Sequence, residues 1–199
     1  MDNLLVIDAC VRQSDSRTLR IAEPIIDALK PRFKHFFRYN LPDMDCIRPL
    51  TPGTFAERGE GNIPEWALEA ATRIRQASAI VIAAPFWDMS FPAVLKCFFE
   101  QVSLFDITFT DNGETCVGLC EQAPVIYITT RGMDIHTGDP REQATPYLKA
   151  LASLWGLGEI TTIAASNMDY SSESVMDAKI TDAVKEGISA VNELFPPTH

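Results

Sequence analysis

Three polar segments carry the residue types best suited to chemistry, and each follows a short apolar run. The first precedes a predicted helix and combines a thiol, hydroxyls and cationic groups: Cys10, Arg12, Ser14, Ser16, Arg17 and Thr18. Backbone amides at a helix N-terminus bind anions, so this segment predicts a phosphate site. It has no glycine, so it matches neither the dinucleotide fingerprint nor the P-loop. The alternative is that Ser16 only caps the helix and the arginines face solvent.

The second segment, residues 85–90, places Phe86, Trp87 and Met89 after the clearest apolar run. Planar apolar groups beside a polar tip are suited to lining a ring system. The alternative is that the two aromatic side chains fill the gap between a strand and a helix.

The third segment, residues 129–136, brings hydroxyls, Arg131 and His136 together. A cation, backbone amides or an imidazolium there would stabilise an anionic ligand. His136 is the candidate catalytic residue, although a lone histidine in a polar loop is more often solvated.

Apolar runs alternate with helix-like segments along the whole chain. Strands are predicted at residues 4–7, 33–39, 79–84, 124–130 and 160–165. Helices are predicted from a Ser16 cap to Leu29 and at residues 64–75, 91–104, 143–155 and 173–194. Strands that alternate with helices form a parallel sheet covered on both faces. We therefore expect a single α/β domain, residues 1–199, with a doubly wound sheet that binds ligands beyond the carboxyl ends of its strands.

Two features are expected to interrupt this pattern. Pro24 lies inside the first helix and should kink it or shift its start. Residues 40–62 form a long connection containing Pro and Gly, and such a connection in a compact domain is usually functional.

Composition narrows the class of protein. The formal net charge of −10 argues against a nucleic-acid partner. The five cysteines are odd in number and lack zinc-like spacing, so we expect reduced thiols and no metal site. No apolar stretch is long enough to span a bilayer and the first residues do not resemble a signal peptide. A cytoplasmic location without a membrane partner is expected.

Residues 84–109, APFWDMSFPAVLKCFFEQVSLFDITF, resemble the flavodoxin-like NAD(P)H dehydrogenases that include the FMN-dependent azoreductases and quinone reductases. That family has an A-P-(M/L)-(Y/W)-N-F pattern followed by L-K and an aromatic helix. The likeness continues in ITTRGMDIHTGDP and ATPYLKALASLWGLGEI. It implies a flavodoxin-like fold with five strands in the order 2-1-3-4-5 and a homodimer with an FMN in each of two clefts. It also implies ping-pong hydride transfer from NADH or NADPH to a small-molecule acceptor, a quinone or an azo compound.

Carried over by position, the resemblance implies three groups of FMN-binding residues. The phosphate would be held by Cys10, Ser14, Asp15 and Ser16, with the amides of Arg17 and Thr18. The ring would lie against Pro85, Phe86, Trp87, Asp88 and Met89. Its pyrimidine side would lie against Thr130, Arg131, Gly132 and Met133.

The chain departs from the family pattern at three of these positions. Cys10 stands where serine is usual, Asp88 replaces asparagine, and Met133 replaces a second glycine. An ionised Asp88 cannot donate a hydrogen bond to the flavin, and its charge would lower the flavin's midpoint potential.

Two other functions are compatible with the pattern. An electron-carrier flavodoxin would use the acidic surface to dock on basic partners, but carriers usually have glycine in the loop after the first strand. A flavin-free domain of the same fold is the other, and the departures at Asp88 and Met133 support it. The homodimer is also favoured by the helix at residues 91–104, which is richer in large aromatics than one buried face requires.

Overall fold

The computed structural model describes residues 1–196 of the chain. The strands in this range are β1 (Asn3–Asp8), β2 (His35–Asn40), β3 (Ala79–Ala83), β4 (Phe109–Asp111), β5 (Cys116–Gly118), β6 (Val125–Thr130) and β7 (Ile160–Ala165). The α-helices are α1 (Arg17–Leu29), α2 (Pro52–Gly59), α3 (Glu65–Arg75), α4 (Ala93–Val102), α5 (Ala144–Trp155) and α6 (Glu173–Leu194).

Five of the strands form one parallel sheet in the order β2-β1-β3-β6-β7. This is the flavodoxin-like order 2-1-3-4-5, so the predicted fold is confirmed. The strand order reverses between β1 and β3, and ligands of such sheets bind in the crevice at that point. The loops that follow β1 and β3 are therefore neighbours at the carboxyl edge of the sheet.

The inner strands are apolar throughout because both faces of the sheet are covered. Leu5, Ile7 and Ile82 pack in one core with α3, α4 and α5. Leu4 and Val6 point to the opposite face and pack in a second core with α1 and α6. Successive side chains of a strand alternate between faces, so each strand contributes to both cores.

The connection at residues 40–62 contains a helix that the sequence pattern did not predict. It contains the helix α2, whose first turn is fixed by reciprocal hydrogen bonds between Thr51 and Thr54 and by Pro52 at the first position. A second unpredicted element is the antiparallel hairpin of β4 and β5. Its turn contains Asn112 and Gly113, and Gly113 has a positive φ of 92°.

Helix α1 starts directly after the Ser16 cap and continues through Pro24. Pro24 therefore does not shift the start of this helix. Helix α4 is shorter than the predicted 91–104 at both ends, since Pro92 is its N-cap and Ser103 its C-cap. No helix among residues 1–196 is long and apolar enough to cross a membrane.

The aromatic side chains of α4 pack against other residues of the same chain. Phe98 and Phe99 are buried, and they contact Tyr39, Tyr147 and Trp155. The expectation that this helix has more aromatic surface than its own fold can bury is wrong. A dimer therefore needs support from another feature.

Candidate functional site

The loop after β1 is fixed by a buried carboxylate. Asp8 Oδ1 accepts a hydrogen bond of 2.9 Å from the amide of Cys10, and Arg38 donates to Asp8 Oδ2 at 2.6 Å. The Cys10 thiol points into the core, 3.5 Å from the carbonyl oxygen of Ala83. Burial raises the pKa of this thiol well above its ordinary value. The amide, the carbonyl oxygen and the thiol of Cys10 are thus all engaged within the protein, so the geometry does not support the predicted contact of Cys10 with a phosphate.

The N-terminus of α1 presents free backbone donors. Ser16 Oγ accepts a hydrogen bond of 3.4 Å from the amide of Leu19, so Ser16 caps the helix. Within residues 1–196, the amides of Arg17 and Thr18 have no acceptor. Two unpaired amides at the positive end of a helix dipole are suited to an anion. Ser14 and Asp15 precede them on an exposed 3₁₀ turn, Gln13–Asp15.

The loop after β3 forms the apolar wall of a cleft. Pro85, Phe86 and Trp87 line it together with Arg12, Ser16 and Arg17 of the first loop. The amide of Phe86 donates to the carbonyl oxygen of Thr130 at 3.0 Å, which ties this wall to the third loop. Phe86 is almost fully buried, whereas Trp87 is 41% exposed.

Asp88 and Met89 form a tight turn at the tip of this loop. Their φ angles are 47° and 65°, in the left-handed region, and Trp87 and Ser90 exchange backbone hydrogen bonds across the turn. Aspartate tolerates this conformation better than most residues do. Both side chains are exposed, and neither lines the cleft. The turn therefore accounts for Asp88 without any contact to a ligand.

The third loop contributes Thr130 and Gly132 to the cleft. Thr130 Oγ1 lies 2.7 Å from Thr18 Oγ1, which joins the loop to α1. Met133 is 38% exposed and lies outside the cleft lining. Thr130 and Gly132 are therefore the two residues of this loop that line the cleft.

The Arg131 side chain turns away from the cleft into the protein. Its guanidinium donates to the carbonyl oxygen of Ile135 at 3.2 Å and to Thr137 Oγ1 at 2.9 Å. Arg131 Nη2 lies 4.0 Å from Glu142 Oε1, and both side chains are at most 1% exposed. Burial lowers the pKa of Arg131, and the Glu142 carboxylate opposes that shift. The cation predicted beside a ligand is thus part of a buried ion pair.

His136 lies apart from the cleft. Its side chain is 75% exposed, and Nε2 lies 3.0 Å from Asp134 Oδ1. His136 borders a larger groove of about 510 Å³ beside β7 and α6, which Lys179, Asp182 and other residues line. That groove flanks the edge strand rather than the point where the strand order reverses.

A fourth loop, which was not among the three predicted, completes the cleft. After β7, the amides of Asn167, Met168 and Asp169 donate to the carbonyl oxygens of Met133, Arg131 and Gly132 at 2.8, 3.0 and 3.0 Å. Met168 and Asp169 then line the cleft, and Asp169 Oδ1 accepts from Arg17 Nη1 at 2.8 Å. The signal available in the sequence was its position after a predicted strand of the same parallel sheet.

The cleft therefore combines three chemistries in about 150 Å³. It offers the Arg12 and Arg17 side chains and the Arg17 amide at one end, an apolar aromatic wall, and the third-loop residues Thr130 and Gly132, beside which the Asp169 carboxylate lies. An anionic group joined to a planar ring matches this donor set, and FMN has both parts. The residues present fit FMN, except that the Asp169 carboxylate stands beside the cationic end.

Comparisons with known proteins cover almost the whole chain. Residues 2–188 match a family model described as flavodoxin-like fold. An FMN-dependent NADH:quinone oxidoreductase of Clostridium beijerinckii is 32% identical over 181 residues, 88% of this chain and 91% of that protein. A protein of the same name from Clostridium perfringens is 29% identical over 194 residues, 94% of this chain and 95% of that protein.

A solved structure shows the same fold. An FMN-dependent NADH-azoreductase from Bacillus anthracis, determined in complex with FMN, superposes with a TM-score of 0.80. It is 21% identical, and the match covers 98% of this chain and 100% of that one.

Proposed function

This chain belongs to the flavodoxin-like family of FMN-dependent NADH:quinone oxidoreductases, and we propose that it catalyses the same kind of reaction. It takes two electrons from NADH or NADPH and passes them to a quinone or an azo compound. The relatives' names support the cofactor and the reaction. The observation in this structure that carries the proposal is the pairing of free helix amides with an aromatic wall in one cleft.

The residues of the cleft divide into three roles. The amides of Arg17 and Thr18, with Ser16 and the Arg12 guanidinium, hold the phosphate. Pro85, Phe86 and Trp87 pack against the ring, and Thr130 and Gly132 adjoin its pyrimidine side. These residues bind, orient and shield the reacting centre.

A bound FMN supplies the hydride chemistry, in a ping-pong sequence in which NAD(P)H and the acceptor use the cleft in turn. The chain itself therefore needs no nucleophile. His136 receives no role in this scheme, because it lies outside the cleft.

A homodimer is part of the proposal. One chain supplies a cleft of about 150 Å³, whereas sites for ligands of this size usually enclose about 300 Å³ or more. Trp87 and Met89 at the rim are partly exposed, as expected of side chains that a second copy covers. Light scattering should report twice the 22.1 kDa mass of the chain. A monomer that turns over NADH would refute this part.

We propose that the enzyme is cytoplasmic. We also propose that the whole chain forms a single FMN-binding domain. The five cysteines are free in the described residues, which suits a reducing compartment. Labelling of the tagged protein followed by cell fractionation tests the location.

The test of the reaction uses the full-length protein and FMN. After incubation and gel filtration, the protein should retain the flavin absorption bands and oxidise NADH or NADPH when a quinone or an azo dye is added. A protein that retains FMN but oxidises neither nucleotide would be an electron carrier. A protein that retains no flavin would be a flavin-free member of the fold, and the proposal would fail.

A further inference from the structure

The Arg17–Asp169 ion pair places a negative charge where the proposed function requires a phosphate. We propose that Asp169 competes with the FMN phosphate for Arg17, and that it thereby lowers the selectivity of the cleft for FMN over riboflavin. This inference rests on the proposed function. It assigns Asp169 as a specificity-determining residue of the same cleft.

The Asp169 carboxylate bonds to Arg17 through one oxygen and lies over Gly132 with the other. Oδ1 accepts from Arg17 Nη1 at 2.8 Å, and a Cβ atom added to Gly132 would lie 2.1 Å from Oδ2. The absence of a side chain at Gly132 thus makes room for this carboxylate. The loop that carries Asp169 is anchored by its own amide, which donates to the carbonyl oxygen of Gly132.

The effect of the Arg17–Asp169 ion pair on a bound phosphate follows from the position of Arg17. Arg17 is the first residue of α1, so its guanidinium and its free amide belong to the same anion-binding helix end. A phosphate bound there meets an arginine already neutralised by a carboxylate and is repelled by that carboxylate. Riboflavin has no phosphate and does not meet this repulsion. The Asp169 side chain is 60% exposed, so solvent reduces the effect without removing it.

The test compares the dissociation constants of FMN and riboflavin, measured by quenching of flavin fluorescence. Asp169→Asn removes the charge at constant size, and Asp169→Ala removes the charge without adding a hydrogen-bond donor. Both variants should bind FMN about three- to tenfold more tightly than the unmodified protein, with little change for riboflavin. Asp177→Asn is the matched control. Asp177 of α6 pairs at 2.7 Å with Arg20, which belongs to α1 like Arg17, but Asp177 does not line the cleft.

The outcomes separate this inference from the proposed function. If the unmodified protein binds FMN and both Asp169 variants bind it no more tightly, Asp169 does not compete with the phosphate and this inference alone is overturned. Equal tightening for FMN and riboflavin would overturn it as well, because the effect would not depend on the phosphate. If no form of the protein binds FMN, the proposed function fails first and the inference fails with it.

Discussion

Replacing Arg131 with methionine tests whether the ion pair beneath the cleft holds the third loop. Arg131 Nη2 and Glu142 Oε1 lie 4.0 Å apart, and both side chains are shielded from solvent. At an effective dielectric constant of about 20, opposite charges at this separation attract by about 4 kcal/mol. Arg131→Met leaves the Glu142 carboxylate buried without its cation. Removing one partner of a buried pair lowers the free energy of unfolding by about 3–5 kcal/mol.

The assay is thermal unfolding followed by tryptophan fluorescence, to which the buried Trp155 contributes together with Trp66 and Trp87. A loss of this size lowers the melting temperature by about 2–4 °C per kcal/mol, so a decrease of about 6–20 °C is expected. Glu142→Gln should lower stability as well, since it leaves the Arg131 guanidinium unpaired. The double variant should lose less than the sum of the two single variants, because it leaves no lone charge.

Arg141→Met is the matched control for this experiment. Arg141 belongs to the same loop and pairs with Asp139 at 2.7 Å, but its side chain is 59% exposed. Its unfolding midpoint should equal that of the unmodified protein. If Arg131→Met behaves like Arg141→Met, or if the losses of the two single variants simply add, the buried pair does not hold the loop.

Three further predictions follow from named contacts. Replacing Ser16 and Arg17 together by alanine should weaken FMN binding by about 1–3 kcal/mol, and unchanged affinity in a flavin titration would remove this loop from the site. Asp88→Asn should raise the flavin midpoint potential by tens of millivolts at most, since solvent screens the exposed carboxylate; spectroelectrochemistry that shows no rise would mean that Asp88 serves only the turn. Burial raises the pKa of Cys120 from 9.0 to about 11, so the free energy of unfolding should fall as pH rises from 9 to 11. Alkaline urea titrations should show a smaller fall for Cys120→Ala, and an equal fall would exclude this thiol as the cause.

The main sheet was predictable because its strands are continuous apolar runs and its helices have a clear apolar stripe. The shorter elements lacked that signal. Helix α2 buries none of its residues, and its first turn depends on local contacts of Thr51 and Thr54. The hairpin of β4 and β5 has no fully buried strand residue, and its only strong signal was the Asn112-Gly113 pair. Periodicity detects burial, so it misses elements that bury little.

The loops of the site were predictable, but the directions of their side chains were not. Topology places the ends of β1, β3 and β6 together, and this rule needs only the order of strands. Whether a loop residue faces the cleft depends on its own backbone angles. Gly132 faces the cleft while its neighbour Arg131 points into the protein, and Cys10 points into the core while Ser16 lines the cleft. The composition of a loop does not show which of its residues face the cleft and which face the core.

The position of the loop that carries Asp169 follows from the sheet topology, but the contact of Asp169 with Arg17 does not. The rule that selected three loops applies equally to the loop after β7, because β7 runs parallel to the others in the same sheet. Its carboxyl end therefore had to open at the same edge. What the rule could not supply is the contact itself, which joins Arg17 to a residue 152 positions away through the space left by Gly132. Since that contact sets the charge at the proposed phosphate site, the affinity for FMN depends on a loop that was not among the three predicted ones.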